Sequence, residues 1–491
     1  MENSHTTGVS SAVQDRWVFR GLLALMVWAP LPLGSNRTWA IGILLLVVLL
    51  LVAGATWAWR RDSVDAFHRL AFFKWPLALL AAMLLLTWLQ TCALPAGWVA
   101  LLSPAAAAAQ APAAWMTLSL DVFQSRNMAT LSFVFFATFV LVILTVRDAQ
   151  RLDRLAQVLV LSGVLQAVLG AVLFSLQAQY QIFFSSVAHT RMIGSFVYHN
   201  SMAGYLCLCL SVGIGLMLAR LGGKRARPAN WRARVAAVIE FTLSSKMRLR
   251  LLLVLMVIAL VLTRSRMGNA AFFSAMLFVG ALAIVLARKT APQTIALIVS
   301  LVIIDVLVVG TWVGLEKVVE RIQDTELSVS AGGKSESVEA RTEAARTALA
   351  IVQDFPLFGS GGGSFYNVFL TYRTPQYGYS YVDHAHNDFV EIATDFGLLG
   401  LGILGVLVGL TFWTVLKAMR RRRSALPWGM AFGVAMAMVG MFVHSSVDFN
   451  LQIPANALTM VVILAMGWLA YGLPASGARR PTSAELIHES A

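Results

Sequence analysis

Long unbroken apolar runs leave this chain very few possible folds. A helix needs about 20 residues to cross a bilayer, and runs of that order recur at 17–33, 39–58, 73–93, 128–146, 155–177, 200–220, 249–263, 268–287, 292–314, 397–418, 426–445 and 455–473. Backbone polar groups inside hydrocarbon must be satisfied within their own segment, so repeated runs of this length mean helices. With 58% hydrophobic and only 13% charged residues in 491, the chain has more apolar surface than a soluble core buries. The expectation is an all-α, polytopic membrane helical bundle of about twelve spans, in which the short run 249–263 can merge with its neighbour.

The formal charge of +14 invites a nucleic-acid reading, which the positions of the charges answer. Arg60, Arg61, Arg69 and Lys74 share one connection, and Arg147, Arg151 and Arg154 another. Lys224, Arg225, Arg227, Arg232 and Arg234 follow, then Arg288 with Lys289, the run Arg420 to Arg423, and Arg479 with Arg480. Every second loop is basic, which by the positive-inside rule makes those loops and both termini cytoplasmic. Arginines so placed anchor topology, and nucleic acid is not an expected partner. The resulting plan is a transmembrane bundle over 1–314 with about nine spans, an outer loop over 315–396, transmembrane helices over 397–473 and a cytoplasmic tail over 474–491.

The outer loops carry a different chemistry. The large one mixes acids with bases, as a small folded excursion does. It begins with LSVSAGGKSES, which reads as flexible, and continues from Val338 as VEARTEAARTALAIVQDF. There Ala345, Leu349 and Val352 recur at helical spacing and Pro356 ends the run, so the loop contains short helices. The outer loop 94–127 contains AAAAAQAPAAW and is expected to lie along the membrane surface. Cys92, Cys207 and Cys209 show neither disulfide nor metal spacing. The first apolar run leads straight into the second, so no cleavable signal peptide is expected.

The chemically loaded residues then fall on the outer side. Arg191 precedes a span in HTRMIGSFVYHNSMAGYL, Arg264 and Arg266 sit at a helix end in LTRSRMGN, and His444 and Asp448 lie in FVHSSVDFNLQIPAN. Densest of all is YVDHAHNDFVEIATDFGLLGLG, with His384, His386, Asn387, Asp383 and Asp388 at a helix mouth. The positive-inside rule does not account for outer arginines. Snorkelling to the headgroups is one explanation; the other is that three guanidinium forks hold a pyrophosphate. Asp383 and Asp388 flank the two histidines and can orient an imidazole, making one of them catalytic and the other a supporting residue. His444 with Asp448 fits either a supporting pair or a helix terminus. The glycine run PLFGSGGGSF lacks the Lys-Ser/Thr of a nucleotide loop and reads as a close-approach turn that packs the loop helix over the site.

GSFVYHNSMAGYL, TRSR at a helix end, PLFGSGGGSF and HAHNDFVEIATDFGLLG occur in that order, with one large late outer loop. Together they resemble the O-antigen ligase and polymerase superfamily of bacterial envelope enzymes. The resemblance runs from Arg191 to Gly402, with FVHSSVDFNLQIPAN as a weaker extension. It implies transfer of a glycan from an undecaprenyl-diphosphate donor to a glycan or glycolipid acceptor, outside the bacterial inner membrane, with no metal and no cofactor. It places the family's essential histidine on His386, which Asn387 follows, and its essential arginines on Arg191 and Arg266. The extra His384 departs from the pattern and leaves the base open between two residues.

The residues suit that chemistry. Arg191, Arg264 and Arg266 can stabilise a leaving pyrophosphate in a partly dehydrated site, and His386 can take the acceptor proton during direct, inverting attack at the anomeric carbon. Ligase, polymerase and protein O-glycosylating relatives are not separated by these residues. A rival of another class, a proton-coupled transporter or flippase, draws on Asp305, an acid at membrane depth in IALIVSLVIIDVLVVGTW. Transporters concentrate their site at the midplane between repeats, whereas the polar cluster here is at the outer surface.

Overall fold

The computed structural model describes residues 15–60, 62–178, 191–221, 244–286, 338–374, 382–422 and 424–473. The apolar runs within them are helices: α1 (Arg16–Trp28), α2 (Thr38–Trp59), α3 (Ser63–Phe72), α4 (Lys74–Thr91), α5 (Ala96–Leu102), α6 (Pro104–Ala109), α7 (Val122–Thr145) and α8 (Ala149–Ser175). They continue with α9 (His199–Leu221), α10 (Ser245–Leu262), α11 (Arg266–Leu286), α12 (Val338–Asp354), α13 (Phe365–Tyr372), α14 (Asp388–Arg421), α15 (Ala425–Ser445) and α16 (Pro454–Gly472). Among the described residues the only strands are a two-residue pair, β1 (Leu94–Pro95) and β2 (Trp115–Met116), with Leu94 opposite Met116. The chain is an all-α polytopic membrane protein: nine of the described helices are long and apolar enough to cross a membrane.

The span count is where expectation and structure differ. The run at 17–33 yields only the 13 residues of α1, because Pro30 and Pro32 break it. Its end is a 3-10 turn, Leu33–Ser35, at whose centre Gly34 takes φ 68°. The run at 249–263 is a separate helix, α10, divided from α11 by Thr263–Ser265 with Arg264 at φ 54°. The expected span 292–314, Asp305 within it, and the segment LSVSAGGKSES lie outside the described residues.

Sequence explains which helices are central. α2 is apolar on every side, and Leu46, Leu50 and Trp57 are exposed, as a lipid-facing helix requires. α9 is almost wholly buried, and it meets α15 through small residues. A Cβ added at Gly215 would lie 2.3 Å from the carbonyl oxygen of Gly429, and one at Gly429 would lie 2.3 Å from that of Gly215. In a membrane, where no hydrophobic force separates helix from lipid, such close backbone approach supplies the packing.

A second apolar cluster caps one end of the bundle. Val99 of α5, Ala106 of α6 and Leu118 pack with Ala348, Ile351 and Phe355 and with Phe365 and Phe369 of α13. The alanine-rich loop 94–127 is therefore folded into a cap, although Trp98, Leu101 and Trp115 stay exposed on it. Helix α12 occurs where the periodicity predicts it, but its buried stripe is Ala344, Ala348 and Ile351, one position before the expected Ala345, Leu349 and Val352. Alanines on both faces made the two stripes hard to tell apart.

The glycine run positions α14. That helix breaks at Gly397, with φ 65° and ψ −174°, which frees the carbonyls of the preceding turn. The N–H groups of Ser360 and Gly361 donate to the carbonyls of Thr394 (2.8 Å) and Asp395 (3.1 Å), while Leu398 N–H donates to Pro356 (2.8 Å). Gln90 of α4 donates from Nε2 to the carbonyls of Phe358 and Asp395, and Gly362 N–H returns a bond to its Oε1. Only glycine fits this approach: a Cβ at Gly359 would sit 2.4 Å from the Asp395 carbonyl group. The loop thus clamps the broken helix and sets the direction of its first turns.

Candidate active site

Asn387 caps α14, its Oδ1 accepting from the N–H groups of Phe389 (3.0 Å) and Val390 (3.2 Å). Its Nδ2 donates to the carbonyl of Ser446 (2.9 Å), and the N–H of Asp388 donates to that of Asp448 (3.2 Å). These bonds fasten the histidine segment to the connection between α15 and α16. Asp388 turns away from the histidines, its Oδ2 accepting from Leu451 N–H (3.0 Å). Asp383 is exposed.

The acid that orients an imidazole is therefore Glu391, one helical turn further on. Its Oε1 lies 2.7 Å from Nδ1 of His384, and its Oε2 accepts from Ala385 N–H at 2.8 Å. The His384 ring stacks on Phe449 with centroids 4.0 Å apart. Burial opposes its charge, but the Glu391 carboxylate beside it prevails through charge and hydrogen bond and raises His384 to about 9. At neutral pH His384 is an imidazolium.

Two residues along, His386 is in the opposite state. It adopts φ 50°, a left-handed conformation unusual for a non-glycine residue. Its ring meets the edge of Phe449 at 5.1 Å, and its Nδ1 is buried with no hydrogen-bond partner among the described residues. Burial, then the positive charges of Arg341 and His384, lower it to about 4. His386 is neutral, so it has a lone pair to accept a proton. The expectation that Asp383 or Asp388 orients the base is corrected: the oriented imidazole is His384, and Glu391 holds it.

Arg341, on α12, was missed by sequence reasoning. Its Nη2 donates to the Tyr198 hydroxyl (2.9 Å), and its Nη1 lies 3.6 Å from Asp448 Oδ2. Asn200 of α9 also donates to that carboxylate. Burial pushes the Asp448 carboxyl up while Arg341 pulls it down. The signal was available: Arg341 lies in the loop expected to be outside, so it is open to the argument applied to Arg191.

Arg191 joins the cluster through His199, whose Nε2 lies 2.9 Å from Arg191 Nη1. Arg191, Arg341 and His444 all lie within electrostatic reach of His199. Tyr198 stacks on Phe449, with centroids 5.6 Å apart, and so links Arg341 to the histidine pair. His444, at the end of α15, is buried with neither ring nitrogen hydrogen-bonded among the described residues. Arg264 and Arg266 are exposed at the α10–α11 junction, outside this hydrogen-bond network. They adjoin the Arg191 segment, because Met192 N–H donates to the carbonyl of Leu262 (3.2 Å).

Arginines, a neutral histidine and a charged histidine at one end of a membrane bundle suit an anionic substrate and a proton transfer. Residues 251–405, from α10 through the glycine clamp, His384, His386 and the first half of α14, match the family model Wzy_C, O-antigen ligase. The match supports the resemblance to the O-antigen ligase and polymerase superfamily over that third of the chain. No curated protein matches the chain. The match supports a ligase- or polymerase-type membrane glycan enzyme, and both candidate histidines and the arginines of the α10–α11 junction and α12 fall inside the matched segment.

Proposed function

We propose that the chain moves a glycan from an undecaprenyl-diphosphate donor to an acceptor hydroxyl, on lipid A-core or another surface acceptor, at the periplasmic face of the bacterial inner membrane. The observation that carries this reading is the pairing of a neutral His386 with guanidinium groups at one end of the bundle, inside the matched ligase segment. Arg191, Arg264 and Arg266 hold the diphosphate, and their forks neutralise the charge that grows on the leaving oxygen.

His386 accepts the acceptor's hydroxyl proton as that oxygen attacks the anomeric carbon. The bond from this carbon to the phosphate oxygen breaks, the electron pair leaves with undecaprenyl diphosphate, and configuration inverts. His384, fixed as an imidazolium by Glu391, cannot take that proton; it supplies positive charge beside the reacting groups. Arg341 lowers His386 until an anionic donor offsets its charge, so donor binding raises the basicity of His386. Arginines take the place of a metal ion in this scheme. A polymerase of the same superfamily differs in acceptor alone: it would extend one lipid-linked glycan with another.

The test is transfer from a purified undecaprenyl-diphosphate glycan in excess chelator. His386→Ala should lose on the order of 10²–10⁴ in rate, the usual contribution of a positioned general base, while donor binding persists. His384→Ala should lose less. Near wild-type turnover in His386→Ala with an inactive His384→Ala would move the base to the neighbouring residue, and activity in the double variant would end histidine base catalysis.

A further inference from the structure

The end of the bundle remote from the histidines carries a second concentration of charge. Helices α1 and α8 run parallel and in step: Asp15 bonds Arg151 at one end, Met26 accepts from Ser162 midway, and Ser195 Oγ contacts both the Pro30 carbonyl (2.6 Å) and Gln166 Oε1 (2.9 Å) at the other. Ser195 lies near the candidate site, so the two helix N-termini meet about 20 Å from it, at 1.5 Å of rise per residue. Between them is a cavity of about 580 Å³. Arg16, Arg20, Arg151 and Arg154 line it together with Phe19 and Leu23.

The charges there are unevenly matched. Buried Asp15 receives Arg147 at 2.6 Å and Arg151 at 2.8 Å. Asp148, the one acid in the lining, is engaged as the cap of α8, accepting from Arg151 N–H at 2.8 Å. Arg16, Arg20 and Arg154 are exposed and form no ion pair among the described residues. The positive-inside rule explains why arginines gather at one end of a span. It does not ask that four converge on one cavity whose other wall is apolar.

We infer that this cavity binds the phosphate headgroup of an anionic membrane phospholipid, with its acyl chains against Phe19 and Leu23. Guanidinium forks match phosphate oxygens, two helix N-termini add partial positive charge, and basic pockets between membrane helices suit such headgroups. A headgroup here ties α1 to α8 at one end as Ser195 does at the other. The inference rests on membrane embedding alone and is independent of the transferase reading.

The experiment is native mass spectrometry of the full chain in nonionic detergent, titrated with phosphatidylglycerol or phosphatidylcholine. Phosphatidylglycerol should bind preferentially. The pair Arg20→Gln with Arg154→Gln should weaken it roughly twenty-fivefold, from two factors of about fivefold per basic side chain near an anionic lipid. Arg420→Gln with Arg421→Gln, which removes equal charge from the end of α14, should change it little. Leu23→Trp fills the apolar wall without altering charge, should also displace the lipid, and keeps the test alive if the arginine pair fails to insert. Equal binding of both lipids, equal loss in both arginine pairs, undiminished binding in Leu23→Trp, or displacement by soluble glycerol phosphate at matched concentration would overturn the proposal.

Discussion

Replacing Glu391 by Gln should convert His384 from an imidazolium into a neutral imidazole at physiological pH. The pair is well buried, with side-chain exposures of 22% for His384 and 3% for Glu391. A rise from 6.5 to about 9 corresponds to about 3 kcal/mol, at about 1.4 kcal/mol per pH unit. Because the folded value lies above the unfolded one, this stabilisation is fully present below about pH 6.5 and is lost as the pH rises through about 9.

Glu391→Gln also disturbs the bond to Ala385 N–H, but that cost does not vary with pH. The informative quantity is therefore the gap in stability between wild type and variant, followed by denaturant unfolding in detergent from pH 6 to pH 10. The gap should shrink by about 3 kcal/mol across that range, and His384→Gln should abolish the same pH dependence. A gap that stays constant with pH would refute the claim that Glu391 holds a charged His384.

Arg191→Lys and Arg266→Lys keep charge but lose the planar fork, so glycan transfer should fall sharply while membrane insertion, read by fractionation, is unchanged; full activity in both would favour headgroup anchoring. Arg341→Gln removes a charge that lowers His386, so the acidic limb of kcat/KM should move from about pH 4 toward neutrality, and an unmoved limb would separate Arg341 from the base. Gly397→Ala should cost about 3 kcal/mol or more in thermal unfolding, because its φ is 65° and a Cβ would lie 2.2 Å from the Leu357 carbonyl oxygen. Gly402→Ala, which meets nothing within 4 Å on the same helix, is the matched control.

The membrane helices were legible because hydrocarbon enforces one solution on an apolar run, and the failures are local. Pro30 and Pro32 cut the first run to 13 residues, since proline removes a donor and clashes with the preceding turn. Asp388 looked like the partner of a histidine because it is near in sequence. At the start of α14, however, its carboxylate is engaged by Leu451 N–H, and Glu391 is the acid that comes round to His384. Arg341 was open to the argument applied to Arg191, but its partners were not legible: they include the Val447 carbonyl, 106 residues away in sequence, and no local pattern announces such a contact. The glycine run was readable as a close approach, but its target, the break at Gly397, required the fold.

Two histidines two residues apart in opposite protonation states are best understood as one electrostatic device. His384 and Arg341 both place positive charge near His386, which in the free protein holds it neutral but a weak base. Under the proposed function, an anionic donor held by Arg191 would cancel part of that field and strengthen His386 as a base only when there is a leaving group to expel. Glu391 makes the arrangement possible: without a carboxylate beside it, buried His384 would shed its proton first. The backbone carries part of the cost, since His386 is held at φ 50°, and the Asn387 cap and the glycine clamp at Gly397 brace the segment on either side. In the proposed reaction the rigidity of α14's first turns would thus be part of the acid–base chemistry, because a shift in that segment would alter the separation between the charge on His384 and the lone pair on His386.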